Sequence, residues 1–149
     1  VSPLNYFRIS DRHWLKDFES PDTHEVMLDE DLVVRLATLE HNLQLKLTIE
    51  SGYRTPEHNA AVGGADHSLH MKGQAVDVSS SELELKILAT AAAEAGFKTV
   101  IAYKEKQIVH CALGPQDQVI VPRDWVEDLK SALWGVRPFI YAFEDVFPS

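Results

Sequence analysis

Hydrophobic positions along the chain change period several times, and each change marks an element. Leu32, Leu36, Leu39 and Leu43 recur at spacings of four, three and four, which is one face of a helix. Asp29-Glu30-Asp31 sets acid at its start, where the helix dipole favours negative charge. Residues 45–51, LKLTIES, alternate Leu45, Leu47 and Ile49 as a half-buried strand does. Residues 52–74 follow neither period and contain Gly52, Gly63, Gly64, Gly73 and Pro56. An ordered, irregular excursion of that length is uncommon in a small domain and is usually functional or disordered. AVDV returns to a strand, and Ser81-Glu82-Leu83-Glu84 has the pattern of a capping box opening a helix to about Ala95, stopped at Gly96. TVIAY and QIVHCAL, flanking Lys104-Glu105-Lys106, read as a β-hairpin. Arg123 to about Leu133 reads as a last helix before the aromatic-rich tail FIYAFEDVF. Residues 1–25 mix Tyr6, Phe7, Trp14 and Phe18 with polar residues and read as short turns or helices wrapping the domain. This order predicts an α+β domain whose small, largely antiparallel sheet packs with helices.

The chain shows no internal repeat, low-complexity tract or linker, so residues 1–149 read as a single domain, long enough to bury a core. With 45% hydrophobic and 25% charged residues, the composition is that of a globular protein. Asp and Glu number 23 against 14 Lys and Arg, a formal charge of -9. That surface repels phosphate backbones and argues against nucleic acid as a partner, but not against a small peptide. The single cysteine, Cys111, excludes an internal disulfide and a cysteine zinc cluster, so any metal falls to His, Asp or Glu. No run reaches the ~18 apolar residues of a membrane span. The opening VSPLNYFRIS lacks the basic-then-apolar layout of a signal peptide and an initiator Met, so removal of a leader is one expectation.

The excursion ends in HSLHMKGQAVDV, residues 67–78, where His67, His70 and Asp77 are potential metal ligands. Catalytic zinc takes three ligands from His and carboxylate and keeps a fourth position for water. Gly73 between His70 and Asp77 lets the chain turn back, bringing imidazole and carboxylate to one ion. His110 is the leading third ligand, because an imidazole within the apolar strand QIVHCAL needs a polar partner. Alternation puts Ile108, His110 and Ala112 on one face and Gln107, Val109 and Cys111 on the other. His67 competes as a ligand only if HSLH is helical, which the glycines around it disfavour; a surface place or one beside the ligands is expected. His13, His24, His41 and His58 lack convergent partners and read as solvated surface residues.

The stretch SGYRTPEHNAAVGGADHSLHMKGQAVDV, residues 51–78, resembles the zinc D-alanyl-D-alanine carboxypeptidase family, in its peptidoglycan-peptidase branch. The matching positions are Ser51-Gly52-Tyr53-Arg54, Pro56, Asn59, Val62-Gly63-Gly64-Ala65, and the run Ser68, His70, Gly73, Ala75 and Asp77. The likeness extends over about residues 28–115, with the hedgehog signalling domain sharing the fold and zinc site. The resemblance implies Zn2+ held by His70, Asp77 and His110, and Arg54 on the substrate or the developing oxyanion. Ser68 and Tyr53 become substrate-binding candidates, although Ser68 could simply shape its turn, Arg54 could pair with Glu57, and Asn59 could brace its own loop. It further implies a bacterial cell-wall peptide as partner and a cell-envelope or phage setting.

A zinc hydrolase also needs a group to move protons. Family members commonly carry an acid three residues before the last His, an Asp two residues after it, or, in hedgehog, a His two residues before it; here Gln107, Ala112 and Ile108 fill those positions. Glu105 is the nearest carboxylate in sequence to His110 and is the candidate base, with Asp66 and Glu57 as others. The expected function is therefore a zinc peptidase acting on peptidoglycan peptides. The competing readings are a zinc-bearing peptide-binding module without turnover, and a structural component assembled through the aromatic tail. Core packing is the preferred reading of that tail.

Overall fold

The helical leucine pattern closes into α1, Glu30–Leu43, where the Asp29 side chain accepts a hydrogen bond from the Asp31 N–H and caps the first turn. Leu32, Leu36 and Leu39 are buried on its inner face. A computed structural model describes residues 5–148, so Val1–Leu4 of the expected N-terminal wrap lie outside the described part. After α1 come β1, Thr48–Ser51; α2, Pro56–Ala61; β2, Ala75–Ser79; α3, Leu85–Glu94; β3, Thr99–Tyr103; and β4, Ile108–Ala112. The chain then adds β5, Gln118–Val121; α4, Val126–Ala132; β6, Phe139–Ala142; and α5, Phe143–Val146.

The fold is α+β, with one open sheet in the order β1-β2-β4-β3-β5-β6. The pairs β1–β2, β2–β4 and β3–β4 are antiparallel, as expected. β5 and β6 extend the sheet by parallel pairing, which the sequence pattern did not foreshadow. The tail is accordingly not simple core packing: it forms an edge strand with Phe139 and Tyr141 exposed. Alternation sorts the sheet's two faces. Val76, Val78, Val100, Ala102, Val109 and Cys111 join Leu36, Leu88 and Ala92 in the core under α1 and α3. Asp77, Ile101 and His110 face the other way, onto an open cavity.

The irregular excursion is ordered by local devices. Thr55 Oγ1 accepts from the His58 N–H and starts α2, with Pro56 in its first turn. Ser68 Oγ caps a one-turn 3-10 helix, Leu69–Lys72, which Gly73 ends in the left-handed conformation at φ 66°. The capping box expected at Ser81 does not form; α3 starts after Glu84, with no side-chain cap. β4 starts at Ile108, leaving Gln107 in the turn at φ 54°. His13 is not solvated as expected. It is buried, with Nε2 2.6 Å from Glu40 Oε2, and Glu40 also accepts from the Leu47 N–H at 2.7 Å. That pair ties the N-terminal wrap to α1 and to the entry of β1.

A Cβ at Gly73 would lie 2.3 Å from the Met27 carbonyl oxygen, in a backbone conformation that L side chains rarely adopt. Gly73→Ala is predicted to destabilise the fold by about 1–3 kcal/mol. A urea midpoint matching the parent's would refute this.

Candidate metal centre

Four strands of the sheet set one row of side chains. Ser51 pairs with Asp77 and Asp77 with His110, while His110 pairs in turn with Ile101. Residues paired across strands present their side chains on the same face, so Asp77 and His110 meet directly. His110 Nδ1 lies 2.8 Å from Asp77 Oδ1. His70 arrives from the 3-10 turn, its Nε2 3.3 Å from the same Oδ1. Its Nδ1 lies 2.8 Å from the Gly52 carbonyl oxygen. A carbonyl only accepts, so Nδ1 carries the proton and Nε2 presents a lone pair.

This arrangement fits a cation. His70 is buried, and its Nε2 has no hydrogen-bond partner of proper geometry despite its nearness to Asp77. A buried lone pair facing a carboxylate is costly unless something positive lies between them. The three candidate ligand atoms lie within 4.8 Å of one another. Zinc bonds of about 2.0–2.1 Å in tetrahedral geometry place ligand atoms about 3.4 Å apart, close to the His70–Asp77 separation. The Nδ1–H bond to Gly52 is the kind of outer contact that orients a metal-bound histidine.

Burial alone would raise the Asp77 pKa, but its interactions with His110 and then His70 outweigh burial and hold the carboxyl well below the usual carboxylate range. Asp77 Oδ2 receives Arg54 Nη2 at 3.3 Å, while Arg54 Nε donates to Ser51 Oγ at 3.0 Å and Nη1 to Asn59 Oδ1 at 3.3 Å. Arg54 thus pairs with Asp77 rather than with Glu57. Asn59 also donates to the Ala65 carbonyl at 2.9 Å. Gly64 leaves room for it, since a Cβ there would meet Asn59 Oδ1 at 2.0 Å.

The triad and Arg54 line a cavity of about 820 Å³ together with Ser68, whose hydroxyl accepts from the His70 N–H at 3.2 Å. His67 lines it too, exposed on its rim, as does His58, which the sequence reading left on the surface. Tyr53 is elsewhere: it is buried in the core and does not line the cavity. Glu105 is exposed in the 104–107 turn and is not on the cavity wall, whereas its neighbour Lys106 is. Gln107 curls back, its amide donating to the Lys104 carbonyl.

Of the wall residues that escaped sequence reasoning, two bear on the chemistry. Glu50 is one extra residue in β1: Ile49 pairs with Val78 and Ser51 with Asp77, so Glu50 bulges out of register. Strict alternation would set Glu50 and Ser51 on opposite faces, yet both line the cavity. Ser79 Oγ donates to Glu50 Oε2 at 2.5 Å. Tyr103 is the other, and the hairpin alternation of Ile101, Tyr103 and His110 could have signalled it.

Two histidines and an aspartate converging in an open cavity beside a fixed guanidinium define a zinc hydrolase centre. Residues 8–112 match the model of the Peptidase M15 family, and the chain belongs to that family. The family's cofactor is zinc, and His70, Asp77 and His110 form a group that could hold it. A search of curated proteins finds no match. Among the described residues, no helix is long and apolar enough to cross a membrane.

The parent protein is predicted to bind one zinc per chain and His70→Ala markedly less, read by metal analysis after dialysis; equal loading would reject the assignment. In the metal-free protein, the depressed Asp77 carboxyl adds stability that is complete above its unfolded value of about 3.9. That stability is lost as pH falls through the lower folded value. Asp77→Asn should therefore flatten the acid limb of the stability–pH curve, and an unchanged limb in urea titrations would contradict this.

Proposed function

We propose that the protein is a zinc-dependent peptidase that hydrolyses peptide bonds in bacterial cell-wall peptides. The observation that carries this reading is the unpaired His70 Nε2 facing Asp77 and His110 on the floor of an open cavity, with Arg54 held at its edge. Zinc bound there supplies a Lewis acid that polarises the scissile carbonyl and makes water a nucleophile near neutral pH. Arg54 is held by three side chains and is placed to stabilise negative charge on the carbonyl oxygen as the tetrahedral species forms. Ser68 holds the turn that presents His70.

For the proton acceptor, the cavity wall favours Glu50 over Glu105. Apart from the ligand Asp77, Glu50 is the carboxylate lining the cavity among the described residues. The acceptor takes the proton of the attacking water as its oxygen bonds to the carbonyl carbon, then returns a proton to the amine nitrogen as the C–N bond breaks. A second reading, a zinc-bearing module that binds peptides without turnover, draws support from Gln107, Ile108 and Ala112, which offer no acid or base beside His110.

Zinc-loaded protein incubated with peptidoglycan fragments, followed by mass spectrometry, separates the two readings. Cleavage by the parent supports the peptidase, whereas binding without product favours the module. Arg54→Ala is predicted to lower kcat by about 10²–10³-fold. Glu50→Gln is predicted to lose more activity than Glu105→Gln; the reverse order would return the acceptor role to Glu105.

A further inference from the structure

Tyr103 ends β3 on the face that carries the site. His110 pairs with Ile101, and Ile108 with Tyr103, so Tyr103 is the diagonal neighbour of His110. Diagonal neighbours on one sheet face lie about 7–8 Å apart, within reach of a long aromatic side chain. The ring is half-buried and lines the cavity. Phe143 meets it edge-on with centroids 5.6 Å apart, and Phe147 lies 6.4 Å away. Lys106 Nζ sits 5.8 Å from the ring centroid. Phe143 and Phe147 contact each other at 4.8 Å and belong to α5 and its end, beyond residues 8–112 that match the family. The C-terminal segment therefore grips this ring from outside the family core.

Strand register and the cavity lining place the ring within the site, and the phenol's acidity agrees with that placement. Burial, then the charge of Asp77, raise its pKa, while Arg54 acts in the opposite sense. With its pKa raised, the phenol stays protonated at neutral pH. A protonated phenol is an O–H donor. Arg54 approaches the Asp77–His110 pair from the β1 side of the sheet and Tyr103 from the β3 side.

We propose that Tyr103 is a catalytic hydrogen-bond donor, its Oη–H directed at the scissile carbonyl oxygen from the side opposite Arg54. The role rests on the peptidase reading. The proton remains on the phenol throughout, so no covalent bond to Tyr103 forms or breaks. The bond strengthens as charge grows on the oxygen, which makes it a contribution to kcat more than to substrate binding. Beyond holding the ring, Phe143 and Phe147 make the donor's position depend on the last turn of the chain.

Tyr103→Phe tests this, since it keeps the ring packing and deletes only the hydroxyl. For zinc-loaded protein on a cell-wall dipeptide, kcat is expected to fall about 10²-fold with KM little changed. Zinc stoichiometry is expected to equal the parent's. A phosphinate analogue of a D-Ala-D-Ala dipeptide, which carries a tetrahedral anionic centre, is expected to bind Tyr103→Phe at least about tenfold more weakly by calorimetry. If the parent cleaves, and the variant's kcat and phosphinate affinity stay within about twofold of it, the Tyr103 role is overturned while the peptidase reading stands. If the parent binds the phosphinate without cleaving, the peptidase reading fails and the catalytic role of Tyr103 fails with it, whatever the affinity difference. If the parent neither cleaves nor binds it, both fall.

Discussion

The hydrogen bond from His70 Nδ1 to the Gly52 carbonyl is the contact on which the site depends. It sets the tautomer that leaves Nε2 free for metal, and it joins the two ends of the long excursion. The His70 carbonyl accepts from the Arg54 N–H at 3.1 Å, so the ligand and the guanidinium residue share one backbone frame. Gly52 can sit there because it has no side chain: a Cβ would lie 2.7 Å from Phe18 Cα. The N-terminal turn at Phe18 is therefore packed against the strand end that holds the metal ligand. That turn is fixed to α1 through the buried His13–Glu40 pair.

Asp77 divides its two oxygens between different tasks. Oδ1 faces the histidines and Oδ2 faces Arg54. One carboxylate thus couples the metal position to the guanidinium position, and a shift of either moves the other. With His70 neutral and no cation bound, the buried Nε2 lone pair and Oδ1 face each other, and a metal ion or a proton on Nε2 relieves that unfavourable contact. Metal loading and the stability of this end of the sheet are linked for that reason.

Local chemistry made much of this legible from sequence. The Leu32–Leu43 period, the hairpin around Lys104–Lys106 and the ligands His70, Asp77 and His110 follow from spacing, alternation and family likeness. What stayed hidden depends on partners distant in sequence. His13 has no local sign of burial, because the Glu40 that receives it lies on another element. Glu50 reads as an outward strand residue, and nothing local says that this outward face is a cavity wall or that a one-residue bulge brings Ser51 onto it as well. Parallel strands β5 and β6 carry weak alternation, and their pairing is decided by the preformed edge of β3. Tyr53, adjacent to Arg54 in a motif, was drawn toward the cavity by that adjacency, whereas the core takes it.

The direct pairing of Asp77 with His110 has a consequence for how this chain tolerates change. The two ligands are 33 positions apart in sequence, with α3 and β3 between them, but their meeting is set by strand register alone. Lengthening the segment between β2 and α3, or the 104–107 turn, leaves that register intact. A single-residue insertion within β2 or β4 turns one ligand to the core face and dismantles the centre. Changes of length are thus tolerated in the connections, whereas β2 and β4 are held to length by the ligands they carry.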